Sequence, residues 1–132
     1  MITEDYVSFE TAKLLREKGF NGLCTAYYDC FTTDNFHCGS EPTDFNSIDT
    51  KIRDIVAAPT LQMAMKWLRK VHDIYIMIDK DFATEDGWHY VVVRKQDWTD
   101  NIDNGLTQQE SNNYTYEFAC EAAIKYCLEN LV

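Results

Sequence analysis

Several side chains in this sequence have the chemistry to bind a metal ion. Cys30, His37 and Cys38 lie in one short segment, and Cys24 lies just before them. Zinc prefers thiolate and imidazole ligands. Its structural sites need four ligands, and they usually include a pair with two to four residues between them. This segment has no cysteine pair at that spacing. It therefore favours reduced thiols on a strand, and we predict no metal site.

A second acidic pattern resembles the beginning of a calcium-binding loop. Asp79 and Asp81 occupy the first and third positions of such a loop. The loop also needs glycine at its sixth position and glutamate at its twelfth, which here are Thr84 and Tyr90. The motif fails, so we interpret this segment as an acidic hairpin loop.

The sequence lacks the motifs that assemble a catalytic centre. His72 and His89 could each act in acid–base chemistry, but neither stands at a defined spacing from a nucleophile or a second carboxylate. The five glycines are scattered and form neither a phosphate loop nor a dinucleotide fingerprint. We predict no catalytic residues and no cofactor. An enzyme whose site cannot be recognised from motifs is kept as an alternative.

The charge balance constrains the class of partner. Twelve basic residues stand against 22 acidic ones, which gives a net charge of −10. Proteins that bind nucleic acids or anionic membranes gain affinity from lysine and arginine, so this balance disfavours both. It favours a basic protein partner attracted by electrostatic steering. The alternative is an acidic surface that imitates DNA and inhibits a nucleic-acid-binding protein.

The sequence also predicts a cellular compartment. The first ten residues are acidic and contain no apolar segment of the kind found in secretory signals. The apolar runs elsewhere are too short to cross a membrane. Five cysteines cannot all pair within one chain, and no signal directs them to an oxidising compartment. We predict a cytoplasmic protein with reduced thiols.

Capping residues and hydrophobic spacing predict three helices. Ser8 is a good N-cap for a helix that ends before Gly19, and Thr115 is a good N-cap for the last helix. A helix after Pro59 and Thr60 has the clearest pattern. Its expected buried stripe is Leu61, Ala64, Met65, Leu68 and Val71.

Two hairpins complete the predicted fold. One joins residues 23–32 to 36–38 through a turn at 33–35, and the other joins 73–79 to 88–95. The strand at 73–79 is apolar on both faces, with Tyr75 and Met77 on one of them, which indicates a central or covered strand. Residues 52–57 form either a short strand or an irregular segment that leads to the second helix. Residues 39–50 and the acidic segment 97–113 have loop-like compositions. We predict a single α+β domain over residues 1–132, with three helices on one antiparallel sheet of about four strands, in the order α-β-β-α-β-β-α.

Aromatic side chains are the remaining candidates for a functional surface. Trp67 lies beside Met63 and off the main stripe of the second helix, while Trp98 lies in the acidic segment. Tryptophan is a frequent anchor of protein interfaces. Met63, Trp67 and Trp98 therefore form the candidate partner surface if they are exposed. The alternative is that the second helix is buried on two sides.

Three helical segments carry a resemblance to a known family. They are FETAKLLREKGF at 9–20, APTLQMAMKWLR at 58–69 and ACEAAIKYCLENL at 119–131. Together they resemble a family of small, uncharacterised proteins of gut anaerobic bacteria, their prophages and mobile elements. The resemblance is weak in 33–57 and 97–113. It implies a cytoplasmic bacterial or phage setting and no particular chemistry. Together with the missing motifs, it leads us to expect a non-enzymatic interaction or accessory protein that binds another protein or its own copy.

Overall fold

The computed structural model describes residues 1–32, 35–82, 87–95, 106–113 and 115–132, with the side chains of 35 and 106–113 left out of the description. It confirms an α+β fold with three helices. In chain order, the helices and strands are α1 (Phe9–Glu17), β1 (Cys24–Asp29), β2 (Asn35–Thr43), a 3₁₀ turn (Phe45–Ser47), β3 (Ile55–Ala57), α2 (Leu61–His72), β4 (Ile74–Asp81), β5 (Gly87–Arg94), β6 (Leu106–Asn113) and α3 (Tyr116–Asn130).

The strands form two sheets, which corrects the expectation of one sheet with about four strands. Each sheet has three antiparallel strands, in the orders β2-β1-β3 and β4-β5-β6. The chain divides into two compact units, Met1–Ala64 and Met65–Val132, and the division falls within α2. Each unit therefore contains one sheet. That residues 1–132 form a single domain stays a prediction.

The caps of α1 agree with the sequence. The Ser8 hydroxyl accepts a hydrogen bond from the N–H of Thr11 at 3.2 Å. At the other end, Gly19 adopts a φ of 92°, and the N–H groups of Gly19 and Phe20 donate to the carbonyls of Arg16 and Leu15. This is the Schellman arrangement, in which glycine takes the left-handed position. It turns Phe20 back into the core, where its side chain is buried.

The strand β2 is longer than its composition suggested. Residues 39–43 were expected to belong to a loop, but they continue β2 to Thr43. The pairing with β1 is irregular here, because Cys24 pairs with Thr43 while Ala26 pairs with Cys38. Pro42 lies in this stretch, and β2 is an edge strand. Proline is tolerated at such an edge because its missing N–H would face away from the sheet.

The strand β3 is short, and side chains complete its free edge. The N–H of Ala57 donates to Oδ1 of Asn46 at 2.9 Å, and Nη1 of Arg16 donates to the carbonyl of Ile55 at 3.3 Å. Arg16 also pairs with Asp54 at 3.2 Å. The outward N–H of Ala57 and C=O of Ile55, which a fourth strand would otherwise bond, are therefore satisfied within the unit.

In the second unit, α3 packs against β4 and β5. Its N-cap is Thr115, as expected, with the hydroxyl accepting from the N–H of Phe118 at 3.0 Å. The buried residues of α3 form one stripe at helical spacing. They include Cys120, Ala123, Ile124, Cys127 and Leu128.

The segment 97–113 was expected to be one polar loop. That prediction is wrong for residues 106–113. Residues 106–113 form β6, which pairs with β5 with two shifts in register. This strand is rich in Gln and Asn and has one β-branched residue, Thr107, and no aromatic residue, so its composition gave little indication of a strand. Residues 97–105 lie outside the described part of the chain, as does most of the turn expected at 33–35.

The helix α2 begins as expected, but its buried face differs from the expected stripe. The Thr60 hydroxyl accepts from the N–H of Met63 at 3.1 Å, which caps the helix. Leu61, Ala64, Met65 and Leu68 are buried. Val71 was expected to continue this stripe but is exposed, so the stripe ends one turn before the helix does.

We predict that Leu68→Ala and Ile124→Ala each lower the free energy of unfolding by about 2–5 kcal/mol, because both side chains are fully buried and truncation leaves a cavity. Val71→Ala is the matched control, and as a surface change it should alter stability by less than about 0.5 kcal/mol. Chemical denaturation monitored by tryptophan fluorescence measures all three. Equal shifts for Leu68→Ala and Val71→Ala would contradict the assigned helix phase.

Candidate functional site: the outer face of the second sheet

The β4–β5 pair places alternate residues on opposite faces of the second sheet. Its register runs without a shift from Ile74 opposite Arg94 to Asp81 opposite Gly87. Side chains on a strand alternate between faces, so the even-numbered residues of both strands share one face and the odd-numbered residues share the other. Since buried residues of α3 and of the even face belong to one core, we refer to the odd-numbered face as the outer face.

The even-numbered face is the inner one. Ile74, Tyr90 and Val92 on it are buried. At its far end, the ring of Trp88 contacts Tyr116 of α3 edge to face at 5.6 Å. The apolar side chains of this face therefore have a partner within the unit.

The outer face is also apolar, but it lies open. Tyr75 pairs with Val93, and Met77 pairs with Val91. Tyr75 is 42% exposed and Met77 is 49% exposed. With Lys95, three of these residues line an open depression whose walls are apolar. The sequence correctly indicated apolar residues on both faces of β4, but the prediction of a central or covered strand was wrong, since β4 is an edge strand with one face open.

Charged side chains mark the two ends of the outer face. At one end, Nε2 of His89 lies 3.5 Å from a carboxylate oxygen of Asp79, and these residues are directly opposite each other in the ladder. Lys95 lies at the other end. The structure thus brings together His89 of β5 and Asp79 of β4, which no sequence motif had linked. Strand register was the missing information.

The structure separates the cysteine and histidine group of the first hairpin. His37 lies opposite Tyr27, whereas Cys38 lies opposite Ala26, so these two neighbours point to opposite faces. Cys30 is four residues beyond Ala26, which places it roughly 13 Å along the strand from Cys38. That distance excludes both a shared metal ion and a disulfide bond. Among the described residues, no three metal-ligating side chains form a cluster.

His37 instead belongs to an aromatic cluster on the first sheet. Its ring stacks on Tyr27 with centroids 5.0 Å apart, and Tyr27 also contacts Phe45 at 4.8 Å. Nη2 of Arg53 donates to the Tyr27 hydroxyl at 2.7 Å while the guanidinium lies over the ring. These contacts account for His37 structurally. The other histidine, His72, contacts the ring of Trp67 edge to face at 4.7 Å.

The three residues of the candidate partner surface have different environments. Met63 is 37% exposed and its sulfur contacts the thiol of Cys24 at 3.9 Å. Trp67 is buried, with 9% of its surface exposed, so the condition that Met63 and Trp67 form an exposed pair is not met. Trp98 lies outside the described residues. The alternative that α2 is buried on two sides agrees better with Trp67.

All five cysteines are free thiols, in graded environments. Burial raises the pKa of Cys24 to about 11, with a further contribution from the charge of Asp44. Burial also raises the pKa of Cys127 to about 12. For Cys30, burial is again the main reason that the pKa is raised, and the Asp54 charge adds to it. Cys38, by contrast, is exposed.

No known protein family, curated protein or solved structure matches this chain. None of the described helices combines the length and the apolar character needed to cross a membrane.

We predict a graded reaction with a thiol reagent such as Ellman's reagent. Cys38 should react first because it is exposed, and Cys30 should follow more slowly because its thiolate fraction is lowered. The buried Cys24, Cys120 and Cys127 should react only after the chain unfolds. Cys38→Ser should remove the fast phase alone. A fast phase that persists in that variant would contradict the assignment.

The thiol pKa values also predict a loss of stability at alkaline pH. In the unfolded chain these thiols deprotonate near 9.0, whereas folded Cys24 and Cys127 hold their protons to about 11 and 12. Their contribution to stability is therefore complete below about pH 9 and is lost as the pH rises from 9 through 11 and 12. Denaturant midpoints of the wild type and of Cys127→Ala across this range measure the effect. The decline should be shallower in the variant, and parallel declines would contradict the prediction.

Proposed function

We propose that this chain is a non-enzymatic protein-binding module and that the outer face of the second sheet is its binding surface. The observation that carries the proposal is the open apolar ladder of Tyr75, Met77, Val91 and Val93. Strands that are apolar on both faces are typical of sheets covered on both sides. The helix α3 covers one side, and a partner would cover the other.

The composition of this surface suits a protein interface. A tyrosine and a methionine at its centre are residue types enriched in interface cores, and charged groups lie at its rim. The net charge of −10 and the carboxylate of Asp79 at one end favour a partner with an apolar centre and basic surroundings. Within β4 and β5, the carboxylates of the outer face lie only at the Asp79 end. DNA mimicry would instead use rows of them.

The setting of this function is a further part of the proposal. The three helical segments that resemble proteins of gut anaerobes, their prophages and mobile elements support an accessory role for such an element, in the cytoplasm. The partner in this proposal is accordingly a basic protein of the host or of the element itself.

We predict that Val91→Lys releases the partner about 10–30-fold faster than the wild type does, because it places a charge at the centre of the apolar contact. Val91 lies on the middle strand of the sheet, and its side chain points to the outer face, so the substitution leaves the sheet edge and the inner core intact. Proteins captured from a lysate of a gut anaerobe provide the candidate, and surface plasmon resonance gives its dissociation rate.

Phe118→Lys is the matched control for this experiment. Phe118 is a large exposed apolar residue on α3, with 56% of its surface exposed, and its substitution makes the same change in charge. The partner should dissociate from this variant as it does from the wild type, and association should slow with salt. Equal release by both variants would contradict the proposal. So would an enzymatic turnover that survives Val91→Lys and disappears with His89→Ala.

A further inference from the structure

The free edges of the two sheets differ in how they are protected against pairing with another strand. Natural edge strands avoid such pairing by being short, by containing proline, charged side chains or irregular register, or by having their backbone groups covered. The edge strand β2 contains Pro42 and a break in register, and β3 has three residues whose outward groups bond to Asn46 and Arg16. The edge strand β6 has two shifts in register.

In the described structure, β4 has none of these devices over its first five residues, because its charged side chains are confined to Asp79, Lys80 and Asp81. It is an edge strand of eight residues, contains no proline and pairs with β5 without a shift. Its first five residues, Ile74 to Ile78, are all apolar and uncharged. A long, regular and apolar edge is a template for another strand.

The hydrogen-bond pattern identifies which backbone groups face this free edge. The N–H of Lys95 donates to the carbonyl of Asp73 at 3.0 Å. Because bonded pairs alternate along an antiparallel ladder and the register has no shift, the backbone groups of the odd-numbered residues of β4 face β5. The N–H and C=O groups of Ile74, Ile76 and Ile78 therefore point away from the sheet. Within the described residues, no strand pairs with this side of β4.

We propose that a second copy of this chain pairs with the free edge of β4. The two β4 strands lie antiparallel, so that the β4-β5-β6 sheets of the two copies form one continuous sheet. The twofold axis passes beside Ile76, which bonds to Ile76 of the other copy, and Ile74 bonds to Ile78. This register is the one in which all five apolar residues face only one another. Asp79 of each copy then lies just beyond the paired segment and opposite Asp73 of the other copy, so charge repulsion at the two ends should make the dimer stronger at higher salt.

The area available on the outer face favours edge pairing over stacking of two faces. Tyr75 and Met77 are each about half exposed, which amounts to roughly 100 Å² per side chain. In a stack of two such faces, these side chains would contribute roughly 400 Å², against the roughly 1,200 Å² total of the smallest stable interfaces. Strand addition gains its affinity from main-chain hydrogen bonds instead. In the paired arrangement Tyr75 lies opposite Met77 of the other copy, at a non-hydrogen-bonded position where side chains approach most closely.

Sedimentation velocity over a concentration series tests whether the chain dimerises. The wild type should shift from the mass of one chain to that of two as the concentration rises. A wild type that stays monomeric up to its solubility limit would overturn the proposal. Circular dichroism and a thermal melt of each variant below establish that it is folded.

Charge substitutions at positions 75 and 77 test the register. Tyr75→Lys with Met77→Lys, and Tyr75→Glu with Met77→Glu, each place like charges directly opposite across the twofold axis. Both double variants should dimerise at least tenfold more weakly than the wild type. An equimolar mixture of the two should form a heterodimer, because every lysine then faces a glutamate. A mixture as weak as the separate variants would overturn the register.

Two more variants separate edge pairing from face-to-face stacking. Tyr75→Glu with Met77→Lys removes the same apolar side chains but places opposite charges across the axis, so it should dimerise within about threefold of the wild type. Val91→Lys should dimerise normally while losing the partner of the proposed function, because Val91 lies on the middle strand. Loss of the dimer in Val91→Lys would mean that the faces stack, and would overturn edge pairing while leaving the outer face as a binding surface.

Discussion

A strand at the edge of a sheet carries backbone N–H and C=O groups that the sheet itself does not satisfy, and this chain has to provide for them at two separate sheets. Where it does so, the means are local: Pro42 and a broken register in β2, and the side chains of Asn46 and Arg16 beside β3. The remaining question of the architecture is the edge of β4, where none of these means is present among the described residues.

The helices could be predicted from the sequence because their signals are local. Ser8, Thr60 and Thr115 each place a hydroxyl where it accepts from an N–H in the first turn, and Gly19 takes the positive φ that ends α1. Such contacts lie within a few residues of one another along the chain. Tertiary packing then changed the details, since Trp67 became buried and Val71 did not.

The sheets were less predictable because strand pairing depends on distant residues. The hydrophobic pattern located β4 and β5, but it could not distinguish one sheet from two, nor could it indicate that the polar residues 106–113 form a strand beside β5. The candidate site shows the same limit. Alternation placed Tyr75 and Met77 on one face, whereas only the fold showed that this face lies open and that Asp79 meets His89 across it.

The side-chain amide of Asn46 makes the β3 edge of the first sheet sensitive to deamidation. Its Oδ1 accepts from Ala57 while its Nδ2 donates to the carbonyl of Phe20 at 2.9 Å, so both ends of the amide are needed. Deamidation would convert Asn46 to aspartate and replace the donor with a charged acceptor facing that carbonyl. Two acceptors in a half-buried setting repel each other, and the residue would withdraw from β3. Slow ageing of one side chain would thereby expose an edge that the freshly made protein keeps closed.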